Sequence, residues 1–194
     1  MKRTVQNLAK AFVGESQARN RYSMYASVAR NEGYEQIAAI FIETADQEKE
    51  HAKQIFKMLQ QVLEKEAPGT NELTIETPVP LVLGTTEENL KAAMAGEHME
   101  NSMLYPQIAK DADSEGYPEV AKRMRAITVA ESHHEQRYGK LLKHVQEGSY
   151  FKRQTAVWWT CRECGYVHYG IEPPEVCPSC SHPKSFYQVL SEEF

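Results

Sequence analysis

The sequence predicts an all-α four-helix bundle with a long crossover connection, followed by a small C-terminal domain built on four cysteines. Three observations carry this. Residues 4–147 contain few helix breakers and repeat their apolar residues at steps of three and four, the period of one helix face. The first half of that stretch recurs in the second at a nearly constant offset. All four cysteines fall between Cys161 and Cys180, beyond the helical part.

Composition agrees with a folded globular chain. Of 194 residues, 41% are hydrophobic and 25% charged, and the length suffices for one sizeable core with an appendage. The net charge of −5 gives no electrostatic reason to expect nucleic acid or a membrane surface as partner. The start, Met1-Lys2-Arg3-Thr4-Val5-Gln6-Asn7, leads into no long apolar run, so neither a secretory signal nor a membrane-spanning helix is expected. With no cysteine before Cys161, disulfides do not hold the helical part, and a cytoplasmic location is expected.

Taken in order, the first helix is expected over 4–30, ending at Asn31-Glu32-Gly33, where glycine can adopt the left-handed conformation that stops helices. The second covers 35–66 and is closed by Pro68-Gly69. The connection 69–86 holds Pro78, Pro80 and the apolar run 79–83; it is too long for a tight turn and suits a crossing of the bundle end. The third helix opens at Thr85-Thr86-Glu87-Glu88, where Thr85 and Glu88 have capping-box spacing, and runs to residue 113 with a kink expected at Pro106. The fourth opens at Pro118, a residue favoured in first turns, and closes at Gly148. The bundle therefore spans 1–148, a linker 149–156 and the cysteine domain 157–194.

Asn31-Glu32-Gly33-Tyr34 recurs as Ser114-Glu115-Gly116-Tyr117, and Glu48 and His51 recur as Glu131 and His134, all at an offset of 83 (Tyr34 to Tyr117). Gly14-Glu15 recurs as Gly96-Glu97 at an offset of 82, so one residue is inserted in the third helix. Two helical hairpins related by a pseudo-twofold axis follow.

The inward stripe of the second helix reads Ile37, Phe41, Thr44, Glu48, His51, Ile55, Met58, Val62. That of the fourth reads Val120, Met124, Ile127, Glu131, His134, Tyr138, Leu141, Val145. The first helix supplies Val5, Leu8, Phe12, Glu15, Tyr22, Tyr25 and Ala29, with residue 18 or 19 between, and the third Leu90, Met94, Glu97, Glu100, Leu104 and Ile108. Each helix thus aims at least one carboxylate inward near its middle. A buried unpaired carboxylate is costly, these five repel one another, and Lys and Arg are nearly absent from the stripes. Metal cations resolve the conflict. One Glu from each of two helices, with Glu-x-x-His from each of the other two, is a ligand set for a dinuclear iron or manganese site. Gly14 and Gly96 would let backbones approach closely beside it. Glu43, Glu50, Glu135 and Glu147 lie off the stripes and read as solvated; His98 and His133 point roughly 100° away and read as surface or supporting residues.

Four runs, Gly-Glu-Ser-Gln-Ala-Arg-Asn-Arg-Tyr at 14–22, Glu-Thr-Ala-Asp-Gln-Glu-Lys-Glu-His at 43–51, Gly-Glu-His-Met-Glu at 96–100 and Ala-Glu-Ser-His-His-Glu at 130–135, together resemble the rubrerythrin family. The resemblance implies a ferritin-like bundle with a site for two non-haem iron ions. It implies that Glu48 and Glu131 bridge the metals, that Glu15 and Glu97 are terminal ligands, and that His134 binds one iron. At the other iron it implies exchange of His51 for Glu100 as the oxidation state changes. Tyr22 and Tyr105 match family tyrosines that hydrogen-bond ligands; read from the residues alone, they serve equally well as core tyrosines.

Cys161-Arg-Glu-Cys164-Gly165-Tyr166 and Cys177-Pro178-Ser-Cys180 are two Cys-x-x-Cys knuckles with twelve residues between them. Four thiolates so spaced close a tetrahedral site for zinc or a single iron. Gly after the second Cys and Pro after the third resemble rubredoxin, although the gap is shorter than in free-standing rubredoxins. Trp158 and Trp159 read as packing residues of this domain.

The resemblance implies a peroxidase in oxidative-stress defence, reducing hydrogen peroxide to water with electrons relayed through the four-cysteine iron. It also implies a head-to-tail homodimer and an external donor, an NAD(P)H-dependent reductase or a rubredoxin-type protein; the sequence has no Gly-x-Gly-x-x-Gly fingerprint of its own. The competing reading is a ferritin-like iron-oxidising or iron-storing protein with a structural zinc domain.

Overall fold

The computed structural model describes residues 2–192; Met1, Glu193 and Phe194 lie outside the described residues. Helix α1 (Arg3–Asn31) folds back on α2 (Glu35–Glu66), and α3 (Thr86–Met99) and α4 (Tyr105–Ser114) both pack along α5 (Pro118–Gln146). The two hairpins close alike. Gly33 and Gly116 have φ of 84° and 85°, and the N–H groups of Tyr34 and Tyr117 donate to the carbonyls of Ala29 and Ala112. The capping box forms as expected, with Thr85 and Glu88 each bonding the other's backbone N–H.

Between α3 and α4 the chain makes one π-helical turn, Glu100–Leu104. A π turn holds one residue more than an α turn, so this is where the inserted residue of the repeat is absorbed. The kink expected at Pro106 is replaced by this wide turn just upstream. In a regular helix the proline ring would crowd the carbonyl of Ser102, and Ser102 lies within the widened segment.

The apolar stripes bury as two clusters. One holds Val5, Leu8, Ile55, Ile108, Met124 and Ile127; the other Tyr22, Tyr25, Phe41, Leu90 and Tyr138. The carboxylates form a polar belt between them, held in place by apolar layers worth about 1.5–3 kcal/mol per fully buried Ile, Leu or Phe. Ala18 rather than Arg19 fills the gap in the first stripe, and Leu142 is buried while Leu141 and Val145 are only half-buried. The crossover is irregular from Thr70 to Thr85; Leu73 and Ile75 pack on the first cluster, and the Tyr25 hydroxyl donates to the Val82 carbonyl at 2.8 Å.

In the cysteine domain β1 (Val157–Cys161) is central, flanked antiparallel by β2 (Val167–Gly170) and β3 (Tyr187–Val189). Alternation along β1 buries Trp159, whose Nε1 donates to the Gly170 carbonyl at 2.9 Å, and leaves Trp158 52% exposed against Tyr169. Only Trp159 is therefore a core packing residue. The segment 149–156 is anchored, because Tyr150 is buried and donates to Gln36 Oε1 at 3.0 Å. Among the described residues no helix is long and apolar enough to cross a membrane.

Candidate metal centre

Spacing of three residues puts Glu48 with His51 on one face of α2 and Glu131 with His134 on one face of α5. Glu15 faces them from α1 and Glu97 from α3. Two sets result, Glu15, Glu48, His51, Glu131 and Glu48, Glu97, Glu131, His134, with the donor atoms of each within 4.8 Å of one another. Glu48 and Glu131 belong to both. His134 Nδ1 lies 2.9 Å from Glu131, 3.2 Å from Glu48 and 3.5 Å from Glu97. His51 Nδ1 lies 3.0 Å from both Glu48 and Glu131 and 3.9 Å from Glu15.

Whether these residues suit cations can be read from their unsatisfied atoms. Glu15 Oε2, Glu48 Oε1, Glu97 Oε2, both Glu131 oxygens and His134 Nδ1 are buried without a hydrogen-bond partner. Such atoms are costly singly, and here they converge. Three carboxylates and one imidazole per set fit a hard or borderline divalent ion.

Charge tells the same story. Burial pushes the Glu15 carboxyl well above the usual range, and Glu48, Glu131 and Glu100 add to it. Glu97 is raised to about 8, by burial first and against the pull of His134. Burial also works against ionising Glu48, but the facing imidazoles of His134, at 3.2 Å, and His51, at 3.0 Å, outweigh it and bring the group down to about 2. Conversely, burial disfavours the charged imidazoles, yet Glu131 and Glu48 hold His51 up to about 10 and, with Glu97, His134 up to about 12. Protons here occupy positions that a cation would take.

Tyr22 donates to Glu97 Oε1 and Tyr105 to Glu15 Oε1, each at 2.5 Å. In both cases the other oxygen of the carboxylate is the unsatisfied one, so each tyrosine fixes one oxygen of Glu97 or Glu15 and leaves the other facing the cluster. Burial and the adjacent carboxylates push both phenols well up and keep them donors.

Glu100 opens the π turn and is buried, but stands outside both sets; His51 occupies the first set instead. Its carboxyl is pushed well above the usual range by burial and then by Glu97, Glu131 and Glu48. A Cβ on Gly14 would lie 4.0 Å from Glu100 Oε1 and one on Gly96 would meet nothing within 4 Å, so neither glycine is required for close backbone approach.

His98 and His133 are exposed. Glu135 is not simply solvated, for His98 Nδ1 and Asn101 Nδ2 bracket its carboxylate at 2.9 and 2.7 Å. Two contributors escaped the stripe pattern. Gln47 Oε1 lies 2.9 Å from His134 Nε2, and Arg137 reaches Gln47, Thr44 and Glu43. Gln47 sits one residue off the stripe, and its half-burial is the property that a single-face reading passes over.

Cys161, Cys164, Cys177 and Cys180 gather their sulfurs within 4.8 Å. Cys161 and Cys180 lie 3.7 Å apart and Cys164 and Cys177 3.6 Å apart, sulfur to sulfur, far beyond disulfide length and suited to a tetrahedral thiolate site. The knuckles turn on Gly165 and Ser181, with φ of 75° and 61°.

Comparison with known proteins agrees along the whole chain. Residues 6–142 match the rubrerythrin family, and residues 159–188 match the rubredoxin-like domain of rubrerythrin. A Methanocaldococcus jannaschii relative is 51% identical, covering 100% of this chain and 96% of its own. Rubrerythrin from Nitratidesulfovibrio vulgaris is 45% identical over 97% of this chain and 94% of its own. Among solved structures, nigerythrin in a partially reduced state covers 98% of this chain and 88% of its own, with a TM-score of 0.62 and 29% identity; a fully reduced, all-ferrous state gives 0.60. The chain belongs to the rubrerythrin family.

Proposed function

We propose that the protein is a non-haem diiron peroxidase that reduces hydrogen peroxide to water. The observation that carries this reading is the pair of donor sets sharing Glu48 and Glu131, whose unsatisfied atoms converge in a buried belt. Oxygen-rich donors favour iron over thiolate-preferring ions, and the all-ferrous nigerythrin supports that choice. In this reading Glu15, Glu48, His51, Glu97, Glu131 and His134 are ligands, and Cys161, Cys164, Cys177 and Cys180 hold a third iron, with zinc as the other candidate. When bound, two ferrous ions supply the two electrons that O–O cleavage requires, and the four-cysteine iron restores them singly.

The chain's own residues do the rest. Tyr22 and Tyr105 keep the terminal carboxylates aimed. The apolar clusters on either side exclude water. Glu100, held beside the site with its carboxyl kept protonated by burial, would supply a proton to the departing oxygen and, once a carboxylate, would be able to hold the metal in place of His51. Overall, hydrogen peroxide with two protons and two electrons yields two waters.

The cysteine domain meets the start of α2, where Ser185 lies beside Gly33, about 20 Å along the helix from Glu48. That separation supports a head-to-tail homodimer in which one subunit's cysteines serve the other's bundle. A cytoplasmic setting in oxidative-stress defence, with an NAD(P)H-dependent reductase or rubredoxin-type donor, completes the reading.

The test is anaerobic. The iron-loaded protein is fully reduced, given one equivalent of peroxide, and followed by the visible absorbance of the ferric thiolate centre, which is expected to appear rapidly. Slow oxidation by peroxide with fast oxidation by dioxygen would overturn the peroxidase in favour of an iron-oxidising protein.

A further inference from the structure

The pseudo-twofold axis equates Glu48 with Glu131, His51 with His134, Glu15 with Glu97 and Tyr22 with Tyr105. The contacts obey it: each tyrosine donates to the terminal carboxylate of the opposite half, at the same distance. The surroundings of the two imidazoles do not.

On one side His134 Nε2 lies 2.9 Å from Gln47 Oε1. Arg137 Nη2 also points at that oxygen, at 3.4 Å, and a guanidinium can only donate. The oxygen therefore accepts from both groups, which puts a proton on His134 Nε2 and makes Nδ1 the nitrogen turned toward Glu48, Glu97 and Glu131. Arg137 is itself braced by Glu43 Oε1 at 2.8 Å and Thr44 Oγ1 at 2.6 Å.

On the other side every part of this bracket is missing. At the offset of 83, Gln47 corresponds to Ala130, Thr44 to Ile127, Glu43 to Ala126, and Arg137 to Gln54. Gln54 bonds Glu50 on its own helix. Among the described residues nothing accepts from His51 Nε2, and the His51 side chain is 16% exposed against 3% for His134. Glu100 breaks the symmetry in the complementary sense, since its counterpart is Ala18 at the offset of 82 that relates Glu15 to Glu97.

We propose that Gln47, held by Arg137, is a positioning residue that locks His134 toward the site, and that Ala130 at the equivalent place leaves His51 free to yield to Glu100. One histidine stays and the other leaves because only one has an acceptor behind its ring. This rests on the ligand reading above and adds to it why exchange is one-sided.

Three variants test it: Gln47→Leu, which removes the acceptor at similar volume; Gln47→Glu, which restores one; and Ala130→Gln, which builds the bracket behind His51. Ala130 is half-buried, as Gln47 is, so the longer side chain has a route to solvent. The first readout is the ¹⁵N NMR spectrum of the histidine rings in full-length protein loaded with zinc, which is diamagnetic. Of the two site histidines, His51 and His134, the unaltered protein is expected to show one imidazole N–H protected from exchange, His134 Nε2–H. Gln47→Leu loses it, Gln47→Glu keeps it, and Ala130→Gln gains a second. Zinc retention by Gln47→Leu is expected to fall about 10- to 100-fold in the half that holds His134. The second readout is crystallography of iron-loaded Ala130→Gln in both oxidation states, with His51 expected to remain in place in each.

A protected N–H that survives Gln47→Leu overturns the lock. A second protected N–H in Ala130→Gln together with undiminished exchange at His51 overturns the role of Ala130. If His51 in the unaltered protein keeps one position in both oxidation states, the exchange reading itself fails and the role of Ala130 falls with it, while the lock on His134 is still decided by the N–H.

Discussion

Tyr105 at the start of α4 and Glu15 in the middle of α1 are 90 residues apart in sequence, yet their side chains meet at 2.5 Å inside the bundle. The bond settles one carboxylate oxygen and leaves the other aimed at the site. Removing it by Tyr105→Phe should preserve the fold and two bound metals per chain while slowing peroxide turnover. A hydrogen bond to a charged group contributes about 1.5–3 kcal/mol. By the pseudo-symmetry Tyr22→Phe should behave alike, and stopped-flow traces of both variants with metal analysis make the comparison.

Stability of the metal-free protein should depend on pH in an unusual direction. Glu97 is raised from 4.5 to about 8, and His51 and His134 from 6.5 to about 10 and about 12. Groups with raised values contribute stability that is complete below the unfolded value and is lost as pH climbs through the folded one. Glu48, lowered to about 2, contributes above 4.5 and is lost in acid. The melting temperature of the metal-free chain should therefore be highest near pH 4.5, fall above it as Glu97 loses its contribution, and fall more steeply above pH 6.5 where His51 and His134 join. Metal binding must displace these protons, so affinity should rise with pH, by roughly tenfold for each proton displaced per pH unit. Thermal melts with and without metal across this range check both slopes.

Deleting Met103 tests whether the π turn only absorbs the inserted residue. The side chain is exposed, so Met103→Ala should alter stability by no more than about 0.5 kcal/mol. Deletion restores the α-helical count of α1, where Tyr22 follows Glu15 by seven residues, so Tyr105 should keep its heading toward Glu15 while the widened turn opened by Glu100 is lost. Metal content should stay near two per chain, measured by elemental analysis of the purified variant, and a drop below two would show that the bundle needs the wide turn itself.

Glu100→Ala separates binding from turnover. Because Glu100 stands outside both donor sets, two metals should still bind, while reduction of peroxide slows. Unchanged turnover would count against the role proposed for this carboxyl.

Helical period made four helices legible in the sequence, and interruption of the apolar stripes by Glu48, His51, Glu131 and His134 exposed the site. Even the inserted residue was visible as the difference between two repeat offsets. Its form was not. Proline signals a helix fault near 106 but cannot say whether the fault is a bend or a widened turn, which depends on how α4 must face α1. Tyr22 and Tyr105 stood open between core packing and ligand support because a stripe position reveals burial and not the partner. The structure buries both and hydrogen-bonds them to Glu97 and Glu15. Gln47 and Arg137 were invisible for a different reason: they lie beside the stripe, and their pairing joins α2 to α5, a relationship no local pattern encodes.

The carboxylate belt has a consequence for how the bundle comes apart. It cuts the hydrophobic interior into two clusters that share helices but little direct apolar contact, so a chain without cations has two half-cores joined only by a protonated polar belt. Cations at the belt would tie all four helix middles together at once and make the halves a single cooperative unit. In a calorimeter the transition should become sharper as well as hotter on loading, so that metal content and unfolding cooperativity rise together.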